Sequence, residues 1–153
     1  MKCLRLGMDA HMLIVTSYIQ RIKTAEQSDG ITKIIDTTDL AAGNITLQNA
    51  TNTWVFHAEN VTDFAFATSN HYVWYASSIV VDPANKRRTR VDAVFNPEHK
   101  DFFEVVDFAR QTVDIMSYTF PAWPFPYEHE TVFDGLDQME YPMMVNDNPL
   151  DER

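Results

Sequence analysis

Apolar positions change period once along this chain, and the change divides it into two kinds of structure. Trp54, Phe56 and Ala58 alternate with Val55, His57 and Glu59, the period of two of an extended segment with two faces. Short β-branched or aromatic runs follow at 62–67, 72–76, 78–81 and 90–95, separated by polar turns, and predict antiparallel strands. Phe102, Val106, Ala109, Val113 and Met116 then recur at spacings of three and four, with Glu104, Asp107, Gln111 and Asp114 opposite, which predicts an amphipathic helix over 101–119. Asp101 with Glu104 fits the acidic form of the capping box, and Pro121 stops the helix because its ring cannot continue the hydrogen-bond ladder. The run 121–127, with three prolines among Trp123, Phe125 and Tyr127, predicts a stiff packed connector. Strands are expected at 131–133 and 139–145, with 134–138 as the turn between them.

The N-terminal part is less periodic. Leu13, Ile14, Val15, Tyr18, Ile19 and Ile22 fit either one short strand or one amphipathic helix, and 31–47 alternates β-branched residues with Asp36-Thr-Thr-Asp39 and Ala42-Gly-Asn44 turns. The polar run 82–88 is either a domain seam or an exposed hairpin.

Charge narrows the partners. A formal charge of −10 and a pI near 4.7 oppose general binding to nucleic acid or to anionic membranes and suit cationic ligands. Lys86-Arg87-Arg88 with Arg90 is the one basic cluster, and a solvated turn is the expectation over a phosphate contact. A hydrophobic share of 45% is ample for a packed core. Cys3 is the single cysteine and cannot form an internal disulfide, so nothing in the sequence speaks for a disulfide-built secreted scaffold. No apolar run reaches the roughly 20 residues needed to span a bilayer as a helix, and Asp9 and His11 interrupt the signal-like run after Lys2 and Arg5. The sequons at Asn44, Asn49 and Asn60 matter only in a eukaryotic secretory pathway, so the compartment is open.

One residue stands out against this background. Gly135-Leu-Asp-Gln-Met-Glu-Tyr-Pro-Met-Met-Val-Asn146 sets Glu140 inside an otherwise apolar strand-like run. Buried there without a cation, it would cost several kcal/mol, so a partner is expected. That partner is an arginine such as Arg110, a ligand's ammonium group, or simply water at a strand edge.

The same run resembles the substrate-binding strand of zinc aminopeptidases of the alanyl-aminopeptidase type, peptidase family M-one, whose wording is Gly-x-Met-Glu-Asn; Met139-Glu140 is the matching core. Asn60-Val-Thr-Asp-Phe-Ala-Phe-Ala-Thr-Ser69 is similar to the strand that closes the family's N-terminal β domain. Arg90-Val-Asp-Ala-Val-Phe-Asn-Pro97 is similar to the strand that opens its catalytic domain, and the three blocks stand in the family's order within 53–149. The resemblance implies an α+β fold: a mainly antiparallel β part over 1–82, the end of a β-sandwich or saddle domain, then over 83–153 the first strands and helix of a truncated thermolysin-like catalytic domain. It implies that Glu140 holds the free α-ammonium of a peptide substrate, with Met139 and Gln138 beside it and backbone groups just before it on the scissile-bond region.

The resemblance further implies a metallo-aminopeptidase with zinc in the full-length parent and the rest of the catalytic domain following this chain. The metal motif H-E-x-x-H is not reached, so zinc is not expected to bind this chain, which alone is expected to be inactive. His129-Glu130-Thr-Val-Phe133 is a near miss, because on a strand His129 and Glu130 face opposite ways. His57, Glu59 and His71 form a weaker metal candidate, for which a solvated strand face is the simpler account. Asp137, Gln138 and Tyr141 depart from the family's wording, and Gly135 is expected to supply the backbone freedom its glycine normally gives. The alternative is a non-catalytic β-rich module that binds peptides or proteins on the same scaffold.

Overall fold

The computed structural model describes residues 16–43, 45 and 65–150. Expectations for 54–59, most of 62–67, His57, Glu59 and the three sequons therefore lie outside the described residues. Along the rest run helix α1 (Thr16–Ala25), strand β1 (Thr32–Ile35), helix α2 (Thr37–Ala42), strands β2 (Val73–Asp82) and β3 (Arg87–Phe95), and a 3₁₀ turn (Lys100–Glu104). Helix α3 (Val105–Tyr118) and strands β4 (His129–Asp134), β5 (Met139–Tyr141) and β6 (Met144–Asp147) complete the set.

The strands form one six-stranded sheet in the order β1-β2-β3-β4-β6-β5. The α+β class holds, but the sheet is mixed: β1, β2 and β3 pair antiparallel, β3–β4 and β4–β6 are parallel, and β5 turns back antiparallel on β6. Parallel neighbours need a long crossover. The segment between Phe95 and His129 provides it, carrying α3 across one face of the sheet.

Alternation along the strands sorts the core onto two faces. Val73, Tyr75, Ala93, Phe95 and Val132 meet Phe102 of the 3₁₀ turn and Val106 of α3, while Ile79, Val81 and Val91 meet Val113 farther along that helix. Tyr18, Ile22 and Ala25 of α1 cover the other face with Ile34, Ile35 and Ala76. Phe95 is the hub of the first cluster, with ring centroids 5.4 Å from Tyr75, 4.9 Å from Phe103 and 5.9 Å from Phe102.

Several expectations are corrected. The runs 72–76 and 78–81 are one strand, because Ser77 lies within β2, buried, with its hydroxyl donating to the Asp29 carbonyl at 3.0 Å. The run 82–88 is the hairpin of its two alternatives: Asp82 accepts from the Ala84 and Asn85 amides, and β2 and β3 lie side by side in one sheet. Asp36-Thr-Thr-Asp39 is a helix start rather than a turn, since Asp36 caps the Thr38 and Asp39 amides and Asp39 bonds back to the Asp36 amide.

Asp101 and Glu104 form no capping box, because the 3₁₀ turn precedes α3 and Asp101 accepts from the Leu150 amide at 3.0 Å instead. Of the connector, Phe125 packs against the core, whereas Trp123 is exposed. The basic cluster is not a solvated turn throughout. Arg90 is 8% exposed and bonds both Asp92 oxygens at 2.9 Å, while Arg88 pairs with Asp29.

Phe95→Ala removes the hub ring and is expected to lower unfolding free energy by about 3–5 kcal/mol in urea denaturation. A loss below about 1 kcal/mol would contradict the packing described.

Candidate functional site

The run 139–145 is two strands, not one. Pro142-Met143 reverses it into a two-residue hairpin that pairs Met139 with Asn146, Glu140 with Val145 and Tyr141 with Met144. Proline presets the first turn position, and Met143 takes φ 68°, the positive value that the second position of a type II turn demands. A methionine tolerates that strain here because its side chain is 1% exposed and anchors the turn in the core.

Register then decides where Glu140 sits. Ala93 pairs with Val132, Val132 with Val145 and Val145 with Glu140, so these four form one row across the face that α3 covers. Glu140 ends that row on the edge strand and is exposed, as are Met139 and Gln138. The expectation of burial inside an apolar run is therefore corrected: the hairpin sends the acid to the sheet edge, where water solvates it. Arg110 does not pair with it, and Glu140 makes no ion pair or hydrogen bond among the described residues. Gln138 reaches weakly to Asp147, with its side-chain amide 3.4 Å from Oδ1.

Glu140 borders a cavity of about 650 Å³ between α3 and the β4–β6–β5 edge, walled by apolar residues including Phe108, Val113, Met116 and Val132. Its charged lining is wholly acidic: Asp101, Glu130, Glu140 and Asp147. Glu130 stands two residues before Val132 on β4, on the same face as the row that ends at Glu140, and its only mark in the sequence is the failed metal motif. It has no hydrogen bond or ion pair among the described residues, and burial, with a smaller contribution from Asp92, pushes its carboxyl up to about 8. Only the strand register reveals it, since sequence alone does not say which face α3 covers.

A second cavity of about 680 Å³ lies on the opposite face, by Ser69, His71, Phe133 and Asn146. His71 is held locally, 2.9 Å from the Asn70 side-chain oxygen and edge-on to Tyr72. Asp134 at its border is 1% exposed and already occupied by His99 at 2.6 Å and the Asn96 amide at 2.8 Å.

His129 and Glu130 occupy successive positions of β4 and face opposite sides, and among the described residues no group of three potential ligands could hold a metal ion. The residues described do not fit a zinc site. Nor is any described helix long and apolar enough to cross a membrane. No family model, curated protein or solved structure matches the chain.

Gly135 does not adopt a positive φ, so it supplies no special backbone freedom. Its reason is space: a Cβ there would fall 1.5 Å from Asn146 Oδ1. Gly135→Ala is expected to cost about 1–3 kcal/mol, and Asn146→Ala added to it should restore most of that in thermal melts. Failure of the second change to rescue would locate the conflict elsewhere.

Glu130 also makes stability depend on pH. Between its ordinary value of 4.5 and about 8 the folded chain keeps a proton that the unfolded chain has released, so its contribution declines as pH rises and is gone above about 8. Glu130→Gln should therefore flatten the fall in stability over that window, read by denaturant midpoints at pH 5, 7 and 9. Parallel profiles for the two proteins would contradict it.

Proposed function

We propose that the chain is the substrate-amine-binding part of a zinc aminopeptidase, in which Glu140 receives the free α-ammonium of a peptide, with Met139 and Gln138 flanking it. One observation carries this reading. Glu140 is a carboxylate on an edge strand, without an internal cation among the described residues and beside a cavity whose charged lining is entirely acidic. The sequence resemblance around Met139-Glu140 supplies the chemical class.

A carboxylate-to-ammonium bond contributes roughly 1.5–3 kcal/mol, and the interior of a peptide offers no such cation. Such a bond selects chain ends over internal sites. Among the described residues β5 has a neighbour on one side only, which leaves its outer backbone groups to pair with an extended peptide. Holding the amine at a fixed place fixes which peptide bond can react, a gain of orientation rather than of bond-making power. Zinc would supply the hydrolytic chemistry from residues of the parent enzyme beyond those described, and no step of that chemistry is assigned to this chain. A non-catalytic peptide-binding module is the alternative, since an edge strand with an acid beside it captures an N-terminus without any chemistry.

In the enzyme encoded by the complete gene, Glu140→Gln is expected to lower kcat/KM for free-amine peptides by about 10–100-fold and to leave N-acetylated analogues nearly unchanged. Equal effects on both classes would remove Glu140 from the amine site. Selective peptide binding without hydrolysis would favour the module.

A further inference from the structure

The cavity under α3 contains a group that the peptidase reading does not use. Glu130 sits on its wall, largely removed from water and without a hydrogen bond or ion pair among the described residues. An unpaired carboxylate in such a place is destabilising unless it is neutral or meets a cation. Among the described residues the cavity wall supplies no cation. β5 presents Glu140 to the cavity, β6 Asp147 and the 3₁₀ turn Asp101; Asp92 of β3 lies on the opposite face, bonded to Arg90, and adds only a repulsive field through the sheet, while α3 lines the cavity with no charged side chain, its single cation Arg110 being absent from the wall.

We propose that this cavity is a binding site for a small organic ammonium ion with a hydrocarbon body, the cation lying against Glu130 and the hydrocarbon against Phe108, Val113, Met116 and Val132. The volume, about 650 Å³, falls within the range of small-molecule sites, and the combination of apolar walls with few polar groups is the usual composition of one. The uniform negative sign of the lining selects a cation over a neutral or anionic ligand of the same shape. A titratable group displaced from its ordinary range by burial, inside a cavity, is where ligand chemistry concentrates. The inference stands apart from the peptidase reading, because it rests on Glu130 and not on Glu140.

The site has a built-in pH dependence. The ammonium ion binds the ionised carboxylate, so below about pH 8 binding must expel a proton from Glu130. Affinity therefore rises with pH until Glu130 is ionised, while an amine of ordinary basicity stays charged.

The test is calorimetric titration of the full chain with 2-phenylethylamine and with the neutral 2-phenylethanol. The amine is expected to bind at least about tenfold more tightly than the alcohol at pH 8.5, to tighten by roughly 5–10-fold between pH 7 and 8.5, and to release close to one proton at pH 7. Glu130→Gln should abolish both the preference and the proton release, and Asp107→Asn, on a residue of α3 that does not line the cavity, should preserve them. The methyl resonances of Met116 and Met143 should shift with the amine in the wild type. Equal affinity for amine and alcohol, binding without proton release, or full retention in Glu130→Gln overturns the proposal. Loss in Glu140→Gln with retention in Glu130→Gln places the cation at the strand edge, which overturns this inference and leaves the peptidase reading standing.

Discussion

The parallel pairing of β3 with β4 is the constraint on which the rest of the structure depends. Antiparallel neighbours can be joined by a two-residue turn, but parallel ones require the chain to cross the sheet, and here it does so as the 3₁₀ turn, α3 and a proline-rich connector. The crossover brings Phe102, Val106 and Val113 onto Phe95, Val91 and Val132. It thereby decides that Glu130 faces the cavity under α3 and His129 the opposite side of the sheet. β6 then adds in parallel to β4 and β5 folds back on β6, so the side on which Glu140 emerges is inherited from that first pairing.

The two faces of the sheet treat charge in opposite ways. On the α1 face acids and cations are matched: Arg21 with Asp39, Arg88 with Asp29, and Arg90 with both Asp92 and Glu26, while Trp74 donates its ring N–H to Asp92 at 2.7 Å. On the α3 face Glu130 and Glu140 have no such partners among the described residues. The cations of Arg87-Arg88-Thr-Arg90 alternate along β3, which directs Arg88 and Arg90 to the α1 side. With 12 lysines and arginines against 22 aspartates and glutamates, the chain cannot match every acid with a cation of its own. The acids left unmatched beside the cavity are the ground for proposing an external cation there.

The period change at Phe102 was legible in the sequence because α3 covers one face of the sheet only, so its apolar stripe is clean. The strands were legible in type but not in pairing, since alternation along 90–95 and 131–133 is the same whether neighbours run parallel or antiparallel. The Pro142-Met143 reversal was hidden because neither residue pair nor composition resembles the Asn-Gly type of hairpin turn; burial of Met143 enforces a positive φ that propensity would not assign. α2 was hidden for a related reason: Asp36-Thr-Thr-Asp39 serves equally as a turn or as a helix cap, and the tertiary bonds of Asp39 to Tyr18 and Arg21 favour the cap. Glu140 was singled out by its apolar surroundings, yet those neighbours belong to two strands, which is why it is exposed. Glu130 was passed over because its significance lies in the face it occupies.

Register in the β5–β6 hairpin is the most direct test of this account, because a slip of one residue sends every side chain of β5 to the other face of the sheet. Cross-strand nuclear Overhauser contacts should link Glu140 with Val145 and Val145 with Val132, completing the row that ends at the cavity. Contacts of Glu140 with Met144 or Asn146 as its direct partner would place the carboxylate on the opposite face, away from α3 and the cavity, and would contradict the arrangement described.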